Sequence, residues 1–319
     1  MKGMPVVVTL IAMLVASCMA VFLSLVVASN QARAGDSASA QTQGSSGAQS
    51  QQSQQARPEV EQQRQKTEQD SKKTLDKDAI VAIEQTRNAI NAIAAGKNDE
   101  ALSNLEHATG KIDILLARNP ATALVPVNSV VEVVDAAPQD TQAILELAQD
   151  ASLALDRKDY PTARALLYGL TSEIRDRTYN LPLATYPNGL KRAAQLLQQE
   201  KTQEAQNEIL TALNTLVVID RVTPIPLLLA KNAINEAQAK SHQDKNAAQK
   251  LLETAKNEVV RARELGYAGK DQEYQALNDQ ISSLEKQLKG NEDLTVAFSH
   301  LKDKLSDFLK RQSEQKRRS

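Results

Sequence analysis

The sequence is short of cysteine and of aromatic residues, and each shortage excludes a class of chemistry. The single cysteine, Cys18, lies in an apolar N-terminal stretch, so the rest of the 319-residue chain forms no disulfide, thiolate zinc site or thiol nucleophile. Tryptophan is absent and aromatic residues make up only 3% of the chain, so the core must consist of aliphatic side chains. Leucine, isoleucine, valine and alanine pack well between helices.

The chain also lacks an excess of charge of either sign. Its 38 lysines and arginines nearly balance its 39 aspartates and glutamates. A nucleic-acid-binding protein normally carries a strongly basic face or domain, so we predict no nucleic-acid partner. Hydrophobic residues nevertheless make up 41% of the chain, which is enough for the core of one large domain or two modest ones.

The N-terminus predicts export. A short basic start precedes an almost wholly apolar run from Val6 to Ser29, and the residues Ala32-Arg33-Ala34 match the small-x-small pattern that a signal peptidase accepts. We therefore predict a signal peptide over residues 1–34, cleavage before Gly35 and a periplasmic location.

Two alternatives to a cleaved signal peptide stay open. Because about 20 apolar residues can span a bilayer, residues 6–29 can instead remain as an inner-membrane anchor that leaves the protein facing the periplasm. The sequence "VASC", residues 15–18, resembles a lipoprotein box, although the apolar residues after it fit a mature lipoprotein poorly. Apart from this N-terminal segment we predict no contact with a membrane.

Residues 35–73 are rich in glutamine, serine and alanine and contain few large apolar side chains. Such a segment buries too little surface to offset the entropy cost of ordering it. We predict a disordered linker here, with a frayed helix in its charged second half. The folded domain is predicted over residues 74–319.

A repeated unit indicates helices in the folded domain. It consists of a polar turn, a helix that opens on alanine, and a large aliphatic residue four positions later, where both side chains share one helix face. The four units contain Ala101/Leu105, Ala163/Leu167, Ala205/Ile209 and Ala248/Leu252. Their spacing is too irregular for a tetratricopeptide array, so helical hairpins in one domain are favoured.

Three segments between these helices predict strands. Residues 124–138, 177–187 and 215–230 are rich in valine, isoleucine, threonine or tyrosine and are interrupted by proline, which favours short extended pieces that form a small sheet. The predicted fold class is therefore mainly α, with helical hairpins or a bundle and a few short strands.

The C-terminal region, residues 271–312, is predicted to form a helical hairpin. Two apolar stripes recur there at helical spacing, one from Leu277 to Leu288 and one from Phe298 to Phe308. Each stripe covers only about two heptads, so packing onto the same chain is favoured over a coiled coil between copies. The last residues, 310–319, are predicted to be a frayed tail.

Four stretches in this order resemble the YfdX protein family. They are "VPVNSVVEVVD", "YNLPLATYPNGLKRAAQLL", "ALNTLVVIDRVTPIPLLLA" and "ARELGYAGKDQEYQALNDQI". The resemblance extends from about Thr74 to the end of the chain. It implies an exported, helix-rich bacterial protein that self-associates, is tied to acid or heat tolerance and is chaperone-like, and it brings no catalytic residues with it.

No pattern predicts a catalytic, cofactor or metal site. The histidines His107, His242 and His300 are far apart and lack a metal-ligand spacing. The acidic pairs Glu132/Asp135 and Asp156/Asp159 are expected to be solvated. The sequence "GYAGKD", residues 266–271, is predicted to end a helix, because it lacks the phosphate-loop pattern.

Two function classes follow. The favoured one is a non-enzymatic envelope protein of acid or heat tolerance that binds itself, unfolded clients or other envelope chaperones. The alternative is a small-molecule-binding protein or an enzyme whose site is built from dispersed residues. For the favoured class we predict that acid or heat exposes apolar faces for clients, centred on Leu105, Leu167, Ile209 and Leu252.

Overall fold

Helical hairpins alternate with the strands of one sheet along the chain. The computed structural model describes residues 57–118, 120–267, 272–290, 292–314 and 317–318. The predicted signal or anchor (1–34) and the first part of the predicted linker (35–56) lie outside the described residues. Within the described residues no helix is long and apolar enough to cross a bilayer.

The described residues form eleven helices. They are α1 (Pro58–Thr74), α2 (Lys77–Ala94), α3 (Asn98–Arg118), α4 (Thr141–Asp156), α5 (Tyr160–Tyr168), α6 (Tyr186–Gln198), α7 (Thr202–Leu213), α8 (Ile225–Lys240), α9 (Lys245–Glu264), α10 (Gln272–Gln287) and α11 (Thr295–Glu314). The strands are β1 (Leu124–Asp135), β2 (Ser172–Pro182), β3 (Val217–Pro224) and the two-residue β4 (Arg317–Arg318). The predicted fold class, mainly α with a small sheet, is confirmed.

The sheet is antiparallel, in the order β1-β2-β3-β4. Near one end of the sheet Val133 lies opposite Ile174, and Ile174 lies opposite Thr223. Prolines end β2 and β3 because a proline cannot donate to the ladder. All three predicted extended segments thus contribute to the sheet.

Each connection in the first half of the fold is a helical hairpin. The α2–α3 hairpin precedes β1, the α4–α5 hairpin joins β1 to β2, and the α6–α7 hairpin joins β2 to β3. Helices α8 to α11 follow the three main strands.

The first three hairpins share one turn geometry. Each turn has a single residue with positive φ: Gly96 at 71°, Lys158 at 60° and Glu200 at 59°. In all three, the next N–H donates to the carbonyl oxygen five residues earlier over 2.9 Å, which satisfies an end of the first helix. The alanine of the repeated unit follows five residues after the positive-φ residue each time. The sequence repeat is therefore also a structural repeat.

Two separate hydrophobic cores hold the helices together. The first core combines the α2–α3 and α6–α7 hairpins with the adjoining ends of β1 and β2. The second core combines α8 and α9 with α10 and α11. Each core therefore unites two helical hairpins, whereas α4 and α5 contribute to neither cluster.

Helix α1 lies within the span predicted to be a linker. Proline opens this helix, acidic residues lie in its first turn and basic residues in its last, all of which favour helix ends. Val60 packs in a small cluster with Ile174 and Ile225, and the buried Ser71 hydroxyl donates to Asp176 over 2.6 Å. Residues 58–73 are therefore a packed helix, where a disordered linker with a frayed helix in its charged second half was predicted.

Two further predictions need correction. Residues 225–230, predicted to be extended, begin α8, because Pro226 suits the first turn of a helix and the apolar residues after it enter the second core. The predicted frayed tail continues α11 to Glu314, and Arg317–Arg318 pairs with Ile219–Asp220. The two C-terminal apolar stripes pack in the second core of the same chain.

Candidate functional site

The described residues expose apolar side chains mainly on the α4–α5 hairpin. Six of their eleven exposed large hydrophobic residues lie there, with exposed fractions from 42% to 62%. The six are Leu145, Leu153, Leu155, Tyr160, Leu167 and Tyr168, and we call them the α4–α5 face. The other five are spread over α3, β1, α7 and α11, so a concentration of exposed apolar side chains occurs on this hairpin alone among the described elements.

Packing between α4 and α5 uses mostly small residues, and the larger side chains are left outside. Ile144, Ala151 and Ala154 of α4 and Ala163 of α5 are the buried residues of the hairpin. On α5 the exposed Tyr160 and Leu167 are seven residues apart and lie on one side of the helix, and Tyr168 lies about 100° around the helix axis from Leu167. Neither hydrophobic core includes α5, so that side of the helix is not covered by them.

A buried arginine anchors the root of the hairpin. Arg261 of α9 is 2% exposed, and its guanidinium donates to the carbonyl oxygens of Pro138 at 2.9 Å and Ala137 at 3.2 Å, just before α4. It also lies 3.6 Å from Asp135 at the end of β1 and 3.2 Å from Glu258. Arg261 thereby ties the second half of the chain to the base of the α4–α5 hairpin.

The start of β2 completes this polar cluster. The Ser172 hydroxyl donates to Asp135 over 2.7 Å, and the Ser172 N–H donates to the Tyr267 hydroxyl over 2.7 Å. Burial raises the pKa of Glu258, although the charge of Arg261 opposes that rise. With carbonyl, carboxylate and hydroxyl partners all converging on one guanidinium, the cluster is a structural anchor.

The four predicted client-binding residues do not share one surface. Leu105 and Ile209 are buried together in the first core, and Leu252 is buried in the second. Leu167 is 49% exposed on the α4–α5 face. Identical motif positions therefore have opposite burial.

Residues considered for chemistry lie mostly in ordinary roles. His107, His242 and His300 are all exposed. The Asp159 carboxylate caps α5 by accepting from the Thr162 N–H, and Gly266, with φ at 83°, ends α9 as its sequence predicts. No group of three or more histidine, cysteine or acidic residues within the described parts of the chain can hold a metal ion.

Sequence reasoning missed Arg261, Asp135 and the two tyrosines of the α4–α5 face. The tyrosines carried a usable signal, because two of only six in the chain flank Leu167 in one short helix. Arg261 carried none, since it follows the apolar Val260 in a charged, amphipathic helix where an exposed arginine is expected. Asp135 was expected to be solvated, but the end of β1 places it beside Arg261 and Ser172.

Comparison with protein families identifies part of the chain. The family model described as "YfdX protein" matches residues 82–222. Residues 82–222 are a YfdX region. A search of curated proteins found no match. A solved structure of Salmonella Typhi YfdX is 13% identical and superposes with a TM-score of 0.32. That alignment covers 46% of this chain and 91% of the Salmonella chain.

The YfdX match ends close to the end of strand β3. It contains the three main strands almost completely and the α4–α5 face, and it ends two residues before Pro224 closes β3. Helices α8 to α11 and the second core follow after it. Arg261 thus joins the YfdX-matched part to helices beyond that match.

Proposed function

We propose that this protein is a non-enzymatic, periplasmic stress-tolerance protein that self-associates and holds unfolded chains on apolar surface. The α4–α5 face is the observation that carries the proposal. The YfdX region and the apolar N-terminus support the envelope location and the link to acid or heat.

The size of the α4–α5 face supports a binding role. Large side chains present roughly 150–200 Å² each when fully exposed, so the six exposed fractions correspond to about 500 Å² in total, divided between two sides of the hairpin because Leu153 and Leu155 point to opposite sides of α4. Exposed apolar patches of about 300–600 Å² on a monomer are often functional. Leucine and tyrosine side chains on such a surface suit unfolded polypeptide, whose apolar residues vary in shape. Leu167, from the predicted client-binding set, lies within this face.

Acid acts on parts of the fold through carboxylates held by cations. Hydrogen bonds from Lys111 and Arg118 lower the pKa of Asp78, and those from Arg64 lower the pKa of Glu61 to about 2. A lowered folded-state pKa contributes stability above the ordinary carboxyl pKa, and that stability is lost as the pH falls through the lowered value. Acid therefore removes part of the stabilisation at the start of α2 and in helix α1.

In the Arg261 cluster, the contribution of Glu258 to stability depends on pH with the opposite sign. Because the pKa of Glu258 is raised in the folded protein, its contribution is present in acid and is lost as the pH rises through that raised value. Protonation of Glu258 in acid therefore does not destabilise the base of the α4–α5 hairpin relative to the unfolded chain.

An aggregation assay tests the proposal. The protein is mixed with an aggregating client at pH 4 and, separately, at raised temperature, and light scattering is followed. We expect suppression by the wild type at several-fold molar excess, and weaker suppression by the double variant Leu167→Ser and Tyr168→Ser. Leu210→Ser, which changes a leucine of α7 that is 40% exposed, is the matched control. No suppression by the wild type in either condition contradicts the proposal.

A further inference from the structure

We propose that the open edge of strand β1, from Asn128 to Asp135, is a docking site for extended segments of unfolded polypeptide, which add to the sheet as a further strand. The inference rests on the proposed function, because it concerns the same clients and gives them a second place on the molecule. The α4–α5 face offers apolar side chains, whereas this edge offers backbone hydrogen bonds.

The two edges of the sheet end differently. At the β3 edge, β4 pairs with Ile219 and Asp220. At the β1 edge, the one backbone bond between β1 and a described element other than β2 joins the Asp76 N–H to the Pro126 carbonyl oxygen over 3.0 Å. Beyond Pro126, the outer side of β1 therefore has no backbone partner within the described residues.

The backbone groups that face the open side can be assigned from the ladder. In an antiparallel pair, residues bonded to the partner strand alternate with residues whose N–H and C=O groups point away from it. Just after β1, the Ala136 N–H donates towards β2, to the Thr171 carbonyl oxygen over 2.9 Å. Because the register is regular from Asn128 onward, the backbone groups of Val131 and Val133 point to the open side.

Side chains on both faces of this stretch are exposed, so the edge between them is accessible. Val130 is 42% exposed and Val133 is 39% exposed, and they point to opposite faces because they lie three residues apart. Helix α1 lies over one face of the sheet and not along this edge, since its Ser71 hydroxyl reaches Asp176 of the central strand β2. An added strand would contact a valine on each face.

The β1 edge lacks most of the features that keep an exposed strand from pairing. Proteins protect such edges with proline, lysine, a β-bulge or a very short strand. In β1 the proline and the register shift occur only at its start, before Asn128. The eight residues from Asn128 to Asp135 include four valines and neither proline nor lysine. Because valine favours strands, this stretch is suited to pairing with another extended chain.

An unfolded client suits this edge better than a second copy does. Two antiparallel β1 edges that overlap over residues 129–135 would be centred on Glu132, so the Glu132 carboxylates of the two copies would lie opposite each other. Like charges placed directly opposite each other destabilise a strand pair. A client segment has no such constraint. Since strand addition derives its affinity from backbone bonds, it accepts clients of different sequence.

Fluorescence anisotropy of a labelled peptide with the full chain at pH 7 tests the inference. The probe contains eight alternating valine and threonine residues between two lysines. A second probe has the same side chains but is N-methylated at every internal residue, which removes its backbone donors. We expect the dissociation constant of the methylated peptide to be at least about 10-fold higher, because it cannot form the bonds of an added strand.

Two variants of Val133 test the edge itself. Val133→Pro removes an N–H from the open side, and Val133→Lys keeps the backbone and adds a charge that disfavours pairing. Each should raise the dissociation constant of the unmethylated peptide at least about 10-fold. Val296→Pro is the control, because it replaces another exposed valine at the second residue of α11, a position where α5, α6 and α8 already have proline. Its dissociation constant should stay within about twofold of the wild type.

Several results overturn the inference. They are no binding of the unmethylated peptide by the wild type, equal affinity for the two peptides, and wild-type affinity in folded Val133 variants. A Val133 variant that lowers the mass of the protein in light scattering but leaves peptide binding unchanged also overturns it, because the edge then pairs copies of the chain. The double variant Leu167→Ser and Tyr168→Ser should bind the peptide within about twofold of the wild type. A loss there without one at Val133 places the peptide on the α4–α5 face and overturns the inference.

The aggregation assay separates this inference from the proposed function. Suppression of aggregation without preference for the unmethylated peptide retains the proposed function and removes the edge site. Binding at the edge without suppression does the reverse.

Discussion

The α4–α5 and α6–α7 hairpins have the same sequence signature and opposite surroundings. Both have a charged residue with positive φ in the turn, an alanine five positions later and a large aliphatic residue four beyond that. Ile209 of α7 is fully buried, whereas Leu167 of α5 is 49% exposed. The difference arises from the neighbour: a second hairpin covers α6–α7 within the chain, and none of the described hairpins covers α4–α5. A motif thus specifies a hairpin but not its partner.

The largest expected loss of stability follows from removing Arg261, the anchor of the α4–α5 hairpin. Arg261→Met leaves Asp135, Glu258 and two carbonyl oxygens without their buried cation, and we expect the free energy of unfolding to fall by about 3–5 kcal/mol. Urea unfolding measures the change. Arg263→Met in the same helix is the control, with an expected loss of about 1 kcal/mol at most, because Arg263 is 45% exposed in its pair with Glu264. Equal losses in the free energy of unfolding for the two variants would contradict the anchoring role of Arg261.

The next prediction compares the motif leucine and isoleucine directly. Ile209→Ala opens a cavity in the first core and should lower the free energy of unfolding by about 3 kcal/mol. Leu167→Ala removes an exposed side chain, so the monomer should change by no more than about 0.5 kcal/mol. Denaturant unfolding at low protein concentration measures both. A large loss for Leu167→Ala would mean that the hairpin is covered within the chain.

A smaller change should affect both hairpins alike. Lys158→Gly and Glu200→Gly each relieve a side chain in the left-handed region, and the gain is partly offset by the greater freedom of glycine in the unfolded chain. We expect each variant to raise the free energy of unfolding by about 0.5–1 kcal/mol. The opposite change in the α2–α3 turn, Gly96→Ala, should destabilise. Opposite signs for the two glycine variants would show that their turns are not equivalent.

The smallest expected effect concerns acid. Asp78→Asn removes a carboxylate whose pKa is lowered by Lys111 and Arg118, so the variant should be less stable than the wild type at pH 7. That difference should shrink as the pH falls below the ordinary aspartate pKa towards the lowered pKa of Asp78, since the wild type loses the same stabilisation there. Thermal unfolding between pH 7 and pH 3 measures it. Asp99→Asn is the control at the same place in α3, where the carboxylate forms no ion pair with the described residues, and a difference that widens in acid would contradict the sign.

Much of the fold could be predicted because local patterns determine it. Alternating polar turns and alanine-led helices indicate hairpins, and β-branched residues with proline indicate the strands of the small sheet. The error at residues 225–230 has the same origin, since apolar residues after a proline suit both a strand and the first turn of a buried helix. The packing of helix α1 was missed because only two of its seventeen residues, Val60 and Ser71, are buried.

The candidate site was predicted only at Leu167. Leu105, Ile209 and Leu252 share its motif, and nothing in the four sequences reveals which helix lacks a covering neighbour. Burial of Arg261 depends on carbonyl oxygens more than 120 residues earlier in the chain, which no local pattern reports. Long-range packing therefore decides both the exposed face and its anchor.

Hydrogen exchange of the full chain at two concentrations tests most directly whether α4–α5 differs from α6–α7 in lacking a partner within the chain. Peptides from residues 141–168 and 186–213 are compared at about 0.1 µM and 50 µM at pH 7. We predict that protection of 186–213 is the same at both concentrations, because its cover belongs to the same chain, and that protection of 141–168 rises with concentration. Strong protection of 141–168 that is independent of concentration would contradict the account.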